Sequence, residues 1–418
     1  MKNEKNKKTL VILAVWLLIS CLLLLMFQAH GYYDLGATVF FLLLVYVSLV
    51  RFEASLKLKC LLYISVISKL VFAFYLYSNS IILFPDTIGY FRIIDTMFNS
   101  DSLSLRSVIN YAGTLHVGYH YVALLVFKAF KTYFAIYMLS IYLFLLSVLM
   151  LKTHFTWEFG TSVGTSVFVF LCFSGFMFVF MSNVLKDPLV LFLSSFVLFM
   201  YSKFKKNNNA LTFILILLGL VHLTLTRIYS GVALALAILV DIIISREIKI
   251  STTQTLFIII AVLSVFLFTP LRAHFDMGIR FVKGISLSPS TLLTIMKSTI
   301  SFFLSPFFWN MTSELTIYTP LLLDSIFFLV FSPLLINFFI HVIFKKSFRR
   351  RLYIYLIPIV THILTLGIAY ETGAVRQRIA VYPMVFIFYV LGLPRKKCAI
   401  VNIKVIHWPS KTDPLALV

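Results

Sequence analysis

The sequence predicts an all-α protein, a polytopic integral-membrane bundle of about twelve spanning helices with two long outer loops that carry interfacial helices. Two observations predict it. Hydrophobic residues fill 61% of the 418 positions and charged residues only 12%, whereas a soluble domain uses roughly a quarter charged residues to cover its surface. The basic residues, in turn, gather in short gaps between long apolar runs, where Lys and Arg set the orientation of a membrane chain.

The elements follow in order. Met1 to Lys8 is basic, and the run 9–28 after it is longer than a signal-peptide core and has no small-residue cleavage site behind it, so it reads as a retained first span. Further spans are expected at 36–50, 60–84, 133–151, 161–182, 186–202, 210–226, 228–245, 254–270, 320–344, 352–370 and 379–393. The basic gaps Lys2 to Lys8, Arg51 to Lys59, Lys203 to Lys206, Arg246 to Lys249, Lys345 to Arg351 and Arg395 to Lys397 are expected on the cytoplasmic side. These place Pro85 to Leu115 outside and Lys152 to Gly160 inside, so an odd number of crossings joins them. Of the two runs between, Val117 to Phe130 is the shorter and is expected to be re-entrant or interfacial. Both termini then lie in the cytoplasm. Residues 1–394 form one transmembrane domain with outer loops 85–132 and 271–319, and 395–418 form a short cytoplasmic tail. No internal repeat, heptad pattern or low-complexity tract is evident.

The formal charge of +21 comes from 36 Lys and Arg against 15 Asp and Glu. In a soluble protein that excess suggests nucleic acid. Here much of it lies beside apolar runs, and no nucleic-acid-binding signature accompanies it. Cys21, Cys60, Cys172 and Cys398 have no metal or redox spacing, and disulfides are not expected. The 44 Phe and 21 Tyr are assigned to lipid and helix contacts.

Charge kept close to lipid is costly and usually functional, and four clusters fall on the outer side. The first is Pro85-Asp86-Thr87-Ile88-Gly89-Tyr90, followed by Arg92 and Asp95; the second is Asn183-Val184-Leu185-Lys186-Asp187-Pro188. The third is Thr226-Arg227-Ile228-Tyr229, and the fourth runs from Glu371 through Gly373 to Arg376 and Arg378. The second outer loop adds Arg272, His274, Asp276, Arg280 and Lys283. Converging, these would line an outward cavity with one or two carboxylates inside a ring of cations. That mixture suits a polyprenyl-phosphate-linked sugar. Guanidinium groups bind phosphate oxygens in a bidentate fashion, ammonium groups supply compact charge, and both steady the charge on a departing phosphate. Asp or His would serve as base for an attacking hydroxyl, and apolar walls between spans, within membrane lipid, would take the polyprenyl chain. Paired outer carboxylates would also suit Mg²⁺ or Mn²⁺, though no ligand spacing demands a metal.

Each cluster has a simpler reading. Asp86 also fits a helix cap, and Lys186-Asp187-Pro188 a helix start with Asp187 capping and Lys186 pairing locally. Arg227 also fits a headgroup anchor, and Glu371 with Arg376 and Arg378 a self-contained ion-pair group. His116 and His120 read as hydrogen-bonded surface residues, and Lys69 and Asp241 receive no role.

The order of these elements resembles polytopic membrane glycosyltransferases of the GT-C type and Wzy-type O-antigen polymerases. The likeness rests on Asp86 with Tyr90 after an early span, on Gly118-Tyr119 opening the next helix, and on Lys-Asp-Pro at a middle span. An Arg-x-Tyr outer turn and Gly373, Arg376 and Arg378 before the final span complete it. The resemblance implies a bacterial inner-membrane enzyme acting on undecaprenyl-linked glycan at the periplasmic face, alongside other polysaccharide-assembly proteins. A GT-C likeness implies Asp86 as the catalytic residue, with Asp95 as the fallback. A polymerase likeness implies work by Arg280, His274, Arg376 and Arg378. The chain lacks the soluble carboxy-terminal domain of many GT-C enzymes and the paired Asp-Glu of some, which favours the polymerase. In that reading Asp86 or His274 is the base, and Lys186, Arg227, Arg280, Glu371, Arg376, Arg378, Tyr90 and Asp95 bind substrate. The alternatives are a GT-C transferase using an undecaprenyl-phosphate monosaccharide, a flippase for lipid-linked oligosaccharide, and a non-catalytic scaffold.

Overall fold

The computed structural model describes residues 31–100, 105–112, 116–245, 315–344, 352–370 and 375–393, with a few positions between 293 and 300. The expected spans 9–28 and 254–270, nearly all of the outer loop 271–319 and the tail 395–418 lie outside the described residues.

The described residues form helices and no strand. In chain order they are α1 (Tyr32–Arg51), α2 (Leu56–Ser78), α3 (Pro85–Asn99), α4 (Leu105–Ala112), α5 (Val117–Phe130), α6 (Phe134–Phe159), α7 (Thr161–Phe173) and α8 (Gly175–Met181). Then come α9 (Asp187–Asn207), α10 (Ala210–Thr226), α11 (Ile228–Ser245), α12 (Leu315–Val330), α13 (Ser332–Phe344) and α14 (Tyr353–Tyr370). A 3-10 turn (Val375–Ala380) and α15 (Tyr382–Leu391) close the described chain. By length and composition α1, α2, α6 and α9 suit a membrane crossing, as do the bent pairs α7–α8 and α12–α13 if each is one span. Helices α5, α10, α11, α14 and α15 are apolar but shorter. The described residues are therefore all-helical, with several helices long and apolar enough to cross a membrane.

Helix ends follow local chemistry. Proline occupies the first turn of α3, α9 and α15, where its missing N–H costs nothing. Asn208 ends α9 in the left-handed conformation that asparagine tolerates, and the Asn209 side chain accepts from the Leu211 amide to start α10. Three boundaries differ from expectation. Helix α2 stops at Ser78, six residues before the expected end at 84. Helix α6 runs on to Phe159 through the expected loop at Lys152, because nothing breaks it before Gly160, whose φ is 96°. The expected spans 161–182 and 320–344 are each broken in two.

Helix α6 is the hub and packs against α1, α2, α7 and α9. Helix α9 in turn packs on α10 and on the 3-10 turn, and α11 lies along α14. Between α7 and α15 Phe170 and Phe386 stack with centroids 3.7 Å apart. Lipid leaves little hydrophobic gain for helix association, so close packing and buried polar bonds hold such a bundle together.

The sharpest break is at Ser174, where α7 and α8 meet at 57°. Its cause is a carboxylate from another helix. Asp324 of α12, buried in an apolar run, accepts from the Gly175 amide at 2.9 Å, the Phe176 amide at 3.0 Å and the Ser174 hydroxyl at 2.6 Å. The Tyr382 hydroxyl donates to it as well. The carboxylate thereby satisfies the amides that the break exposes, which have no water partner inside a bilayer. Gly175 permits the approach, since a Cβ there would stand 1.7 Å from the Pro320 carbonyl oxygen. The second break, 46° between α12 and α13, falls beside Pro333 in the first turn of α13.

Two substitutions test this brace. Asp324→Ala should lower stability by about 3 kcal/mol, because it strands two backbone donors and two hydroxyls at once. Gly175→Ala should lower it by a similar amount through collision with backbone. The measurement is unfolding of the detergent-purified protein, and wild-type midpoints for both variants would remove the brace from the account.

Candidate functional site

Charged side chains are buried at three levels of the bundle, and the richest group lies where α3, α5, α9, α10 and α11 meet. This is the end that the basic-loop pattern puts outside. Arg227 is the single residue joining α10 to α11, in extended conformation with φ −154° and ψ 97°. Its amide bonds the Leu223 carbonyl and its own carbonyl accepts from Ser230 and Gly231, so the backbone there is fixed from both sides. The guanidinium Nη2 lies 2.6 Å from Asp187 Oδ1, with side-chain exposures of 1% and 0%. Tyr229 offers its ring to the same guanidinium at 5.8 Å. Such a pair is expensive to desolvate and holds only with good geometry, which the planar, weakly hydrated guanidinium favours.

Lys186, also buried, donates to Nε2 of His116. The other ring nitrogen, Nδ1, lies 3.0 Å from the Thr226 carbonyl oxygen. A carbonyl only accepts, so Nδ1 carries the proton and Nε2 is the acceptor; the imidazole is neutral. Burial first, and the Lys186 charge second, hold its pKa down at about 3 despite the Thr226 bond. His120, one turn on, is lowered to about 4 by burial and then by Lys186. Its ring and those of Tyr90 and Tyr119 form a buried group, with Tyr90 centroids 5.3 Å from His120 and 4.9 Å from Tyr119. On the far side of Arg227, His362 of α14 donates from Nδ1 to the Pro358 carbonyl at 2.7 Å and accepts from Ser230 at 3.0 Å.

Other expected site residues can now be placed. Asp86 lies exposed in the first turn of α3, with Phe84 rather than an acidic side chain at the cap position. Its neighbour Thr87 donates to the Val184 carbonyl at 3.2 Å, so the first cluster abuts the second. Asp187 opens α9 and pairs across to α10, while Lys186 pairs across to α5; both reach beyond a local cap. Asp95 is exposed, accepts from Tyr133, and lines an open hollow of about 390 Å³ with Ile88, Phe91, Arg92, Thr96 and Asn99. Arg378 is buried, with its guanidinium 5.3 Å from the Phe176 and Tyr382 rings, on the 3-10 turn that packs against α9. The backbone of Arg376 belongs to that turn. His274, Arg280 and Glu371, along with Arg272, Asp276 and Lys283, lie outside the described residues. Among the described residues no three His, Cys, Asp or Glu side chains gather as a metal cluster.

Two levels escaped the sequence reading, which gathers the important charges on one face. In the middle, beside the Asp324 brace, Lys69 is fully buried, with Nζ 2.8 Å from Ser65 Oγ and 4.3 Å from the centre of the Phe144 ring. The signal for Asp324 was in the sequence, a lone carboxylate inside an apolar run. At the opposite end of α9, His154 bonds Ser202 and Tyr355, each at 2.8 Å, and Ser202 donates to Glu158 at 2.8 Å. Lys205 bridges Glu158 at 3.2 Å and Asp241 at 3.9 Å, and Tyr201 donates to Asp241 at 2.7 Å. This second network ties α6, α9, α11 and α14 together, about 27 Å along α9 from Asp187 at 1.5 Å per residue.

The described residues define a class: a helical bundle with helices able to span a membrane, a buried cluster of Lys186, Asp187 and Arg227 at one end and an ion-pair network around Lys205 at the other. No family model, curated protein or solved structure matches the chain.

The ion pair and the histidine give two tests. Arg227→Ala or Asp187→Ala alone should each cost about 3–5 kcal/mol, and the double variant clearly less than their sum, because each single change leaves a buried charge uncompensated. Additive losses in unfolding measurements would mean the two do not interact. His116 refuses a proton that an unfolded histidine takes up below about pH 6.5, so its contribution to stability is present above that pH and declines as pH falls towards 3. The stability lost between pH 7 and pH 5 should therefore be smaller in His116→Gln than in wild type; an equal loss would remove His116 as a source.

Proposed function

We propose that this chain is a membrane glycosyltransferase acting on undecaprenyl-diphosphate-linked glycan at the outer face of a bacterial inner membrane, with about twelve spans and both termini inside. In its most specific form it is a repeat-unit polymerase of surface polysaccharide. One observation carries the reading. Lys186 and Arg227 are buried together beside Asp187, so an ammonium and a guanidinium gather where the start of α9 meets the α10–α11 joint. A guanidinium and an ammonium set together suit the oxygens of an anionic ligand, and a polyprenyl diphosphate supplies that anion together with a tail for the apolar bundle.

The step is a displacement. An acceptor sugar hydroxyl attacks the anomeric carbon, the bond from that carbon to the diphosphate oxygen breaks, and the diphosphate leaves with the electron pair. Arg227 and Lys186 stabilise the charge that develops there. The hydroxyl proton goes to a carboxylate, for which Asp86, exposed at the start of α3 beside the Lys186 loop, is the candidate. His274 is the alternative base, and Arg376, Arg378 and Arg280 remain proposed partners of the substrate. A GT-C transferase with a monosaccharide donor would use the same groups.

A second reading is transport of a lipid-linked glycan. The two bent helix pairs, together with Lys69 and Asp324 at mid-depth, favour it, since broken helices and midplane charges recur in transporters.

The test is the surface-glycan length profile of a strain without the gene, complemented with wild type, Arg227→Lys or Arg376→Ala at matched membrane levels. Glycan held at one repeat unit and lengthened only by wild type is the expected result. A full ladder whose repeat lacks one sugar would replace polymerisation with monosaccharide transfer. Intact repeat units trapped on the cytoplasmic side would replace both with transport.

A further inference from the structure

His116 occupies a place that costs energy to hold. It is one of four described non-glycine residues with positive φ, at φ 65° and ψ 19°, immediately before α5. Non-glycine residues adopt that conformation seldom, histidine more readily than most, and a residue kept there is held by its surroundings. The surroundings are specific. Two residues on, Gly118 lets α5 press against the end of α10, where a Cβ would stand 2.5 Å from Thr226 Oγ1 and 2.9 Å from the His222 ring. That approach carries the His116 ring to the Thr226 carbonyl, one residue before Arg227, and turns Nε2 towards Lys186. Among the described residues, Lys186, Arg227 and His120 are the charged and titratable groups that act on the ring, while His222 lies against Gly118.

We propose that His116 is a positioning residue: anchored by Nδ1–H to Thr226, it uses Nε2 to aim the Lys186 ammonium at the diphosphate of the substrate. The proposal rests on the reading above and names the element that sets the direction of one of its two buried cations. A flexible four-carbon stem leaves a lysine many rotamers, and a fixed acceptor selects one of them before substrate arrives. A neutral imidazole can do this; an imidazolium would repel the ammonium. The same burial that keeps His116 neutral therefore keeps Lys186 in place across the working pH range.

The two ring nitrogens can be separated by substitution. Asparagine reproduces the reach of Nδ1, keeps the bond to Thr226 and tolerates positive φ. Glutamine reproduces the reach of Nε2 and keeps an acceptor for Lys186. If His116 only pins α5 to α10, His116→Asn is the better replacement. If it aims Lys186, His116→Gln is. The experiment measures binding of inorganic pyrophosphate to detergent-purified protein by calorimetry, and transfer from lipid-linked glycan in proteoliposomes, for wild type, both variants and Lys186→Met. Thermal unfolding reports folding separately. The expected result is pyrophosphate affinity at least tenfold weaker in His116→Asn and Lys186→Met, with His116→Gln within threefold of wild type and the same order in KM for glycan. Asparagine matching or exceeding glutamine in affinity, or wild type that binds no pyrophosphate, would overturn the positioning role. Pyrophosphate bound with the expected order but no glycan transferred by wild type would instead remove the glycosyltransferase reading and leave His116 as the residue that orients an anion-binding lysine.

Discussion

The pair formed by Arg227 and Asp187, 2.6 Å apart and almost wholly out of contact with solvent, constrains everything around it. Two charges taken out of water repay their desolvation only when geometry is held tightly. The bundle supplies that hold from several directions. Asp187 is fixed as the first residue of α9, with Pro188 behind it, and Arg227 is fixed by backbone bonds on both sides of the joint between α10 and α11. Thr226 meets His116 on one flank, and Ser230 meets His362 of α14 on the other. The start of α3 is tied in through Thr87 and Val184. Six helices thus converge on one short stretch because a buried guanidinium leaves them little latitude.

The same physics repeats at the other levels with different outcomes. Asp324 accepts from two amides and two hydroxyls, and it stabilises a helix break that lipid alone would forbid. At the far end of α9 the hydrogen-bond directions can be assigned one after another. Ser202 gives its proton to Glu158 and so accepts from His154 Nδ1, which leaves Nε2 to accept from Tyr355. Donors meet acceptors along that whole chain. A network satisfied in this way rigidifies the helices it joins, so α6, α9, α11 and α14 are clamped at one end while their other ends shape the cationic cluster.

How much of this the sequence disclosed depends on the range of the interaction. Composition and basic gaps disclosed the class of fold, and the apolar runs at 36–50, 210–226 and 228–245 correspond closely to α1, α10 and α11. Val117 to Phe130 was legible as a helix too short to cross, and α5 has those bounds. Lys186 and Arg227 were legible as site candidates because charge beside lipid stands out. What was not legible depends on partners far away in the chain. The break at Ser174 is invisible locally, because its cause is a carboxylate 150 positions later. His116 reads as an ordinary surface histidine until Gly118 is seen to admit α5 to the end of α10. Glu158 and Asp241 look like loop and edge charges until Lys205 joins them across the ends of three helices.

The contrast between the two ends of α9 bears on which functional reading the bundle favours. A transporter must open one end and then the other, and each opening separates helices that the closed state bonds together. At the Lys205 end, separation would break the bonds from His154 to Ser202 and Tyr355 and both contacts of Lys205, exposing several charged or polar groups in one movement. At the Asp187 end an anionic ligand needs no such separation. In the proposed reading Lys186 and Arg227 would meet that ligand in place, since the α10–α11 joint fixes the Arg227 backbone and the neutral His116 ring accepts from Lys186. A bundle clamped at one end fits the proposed enzyme better than the proposed transporter, because charge stabilisation in an enzyme depends on dipoles and cations that do not reorganise during the reaction. The broken helices then serve to bring polar groups to mid-depth and to shape the walls, and Asp324 is the anchor that keeps them still.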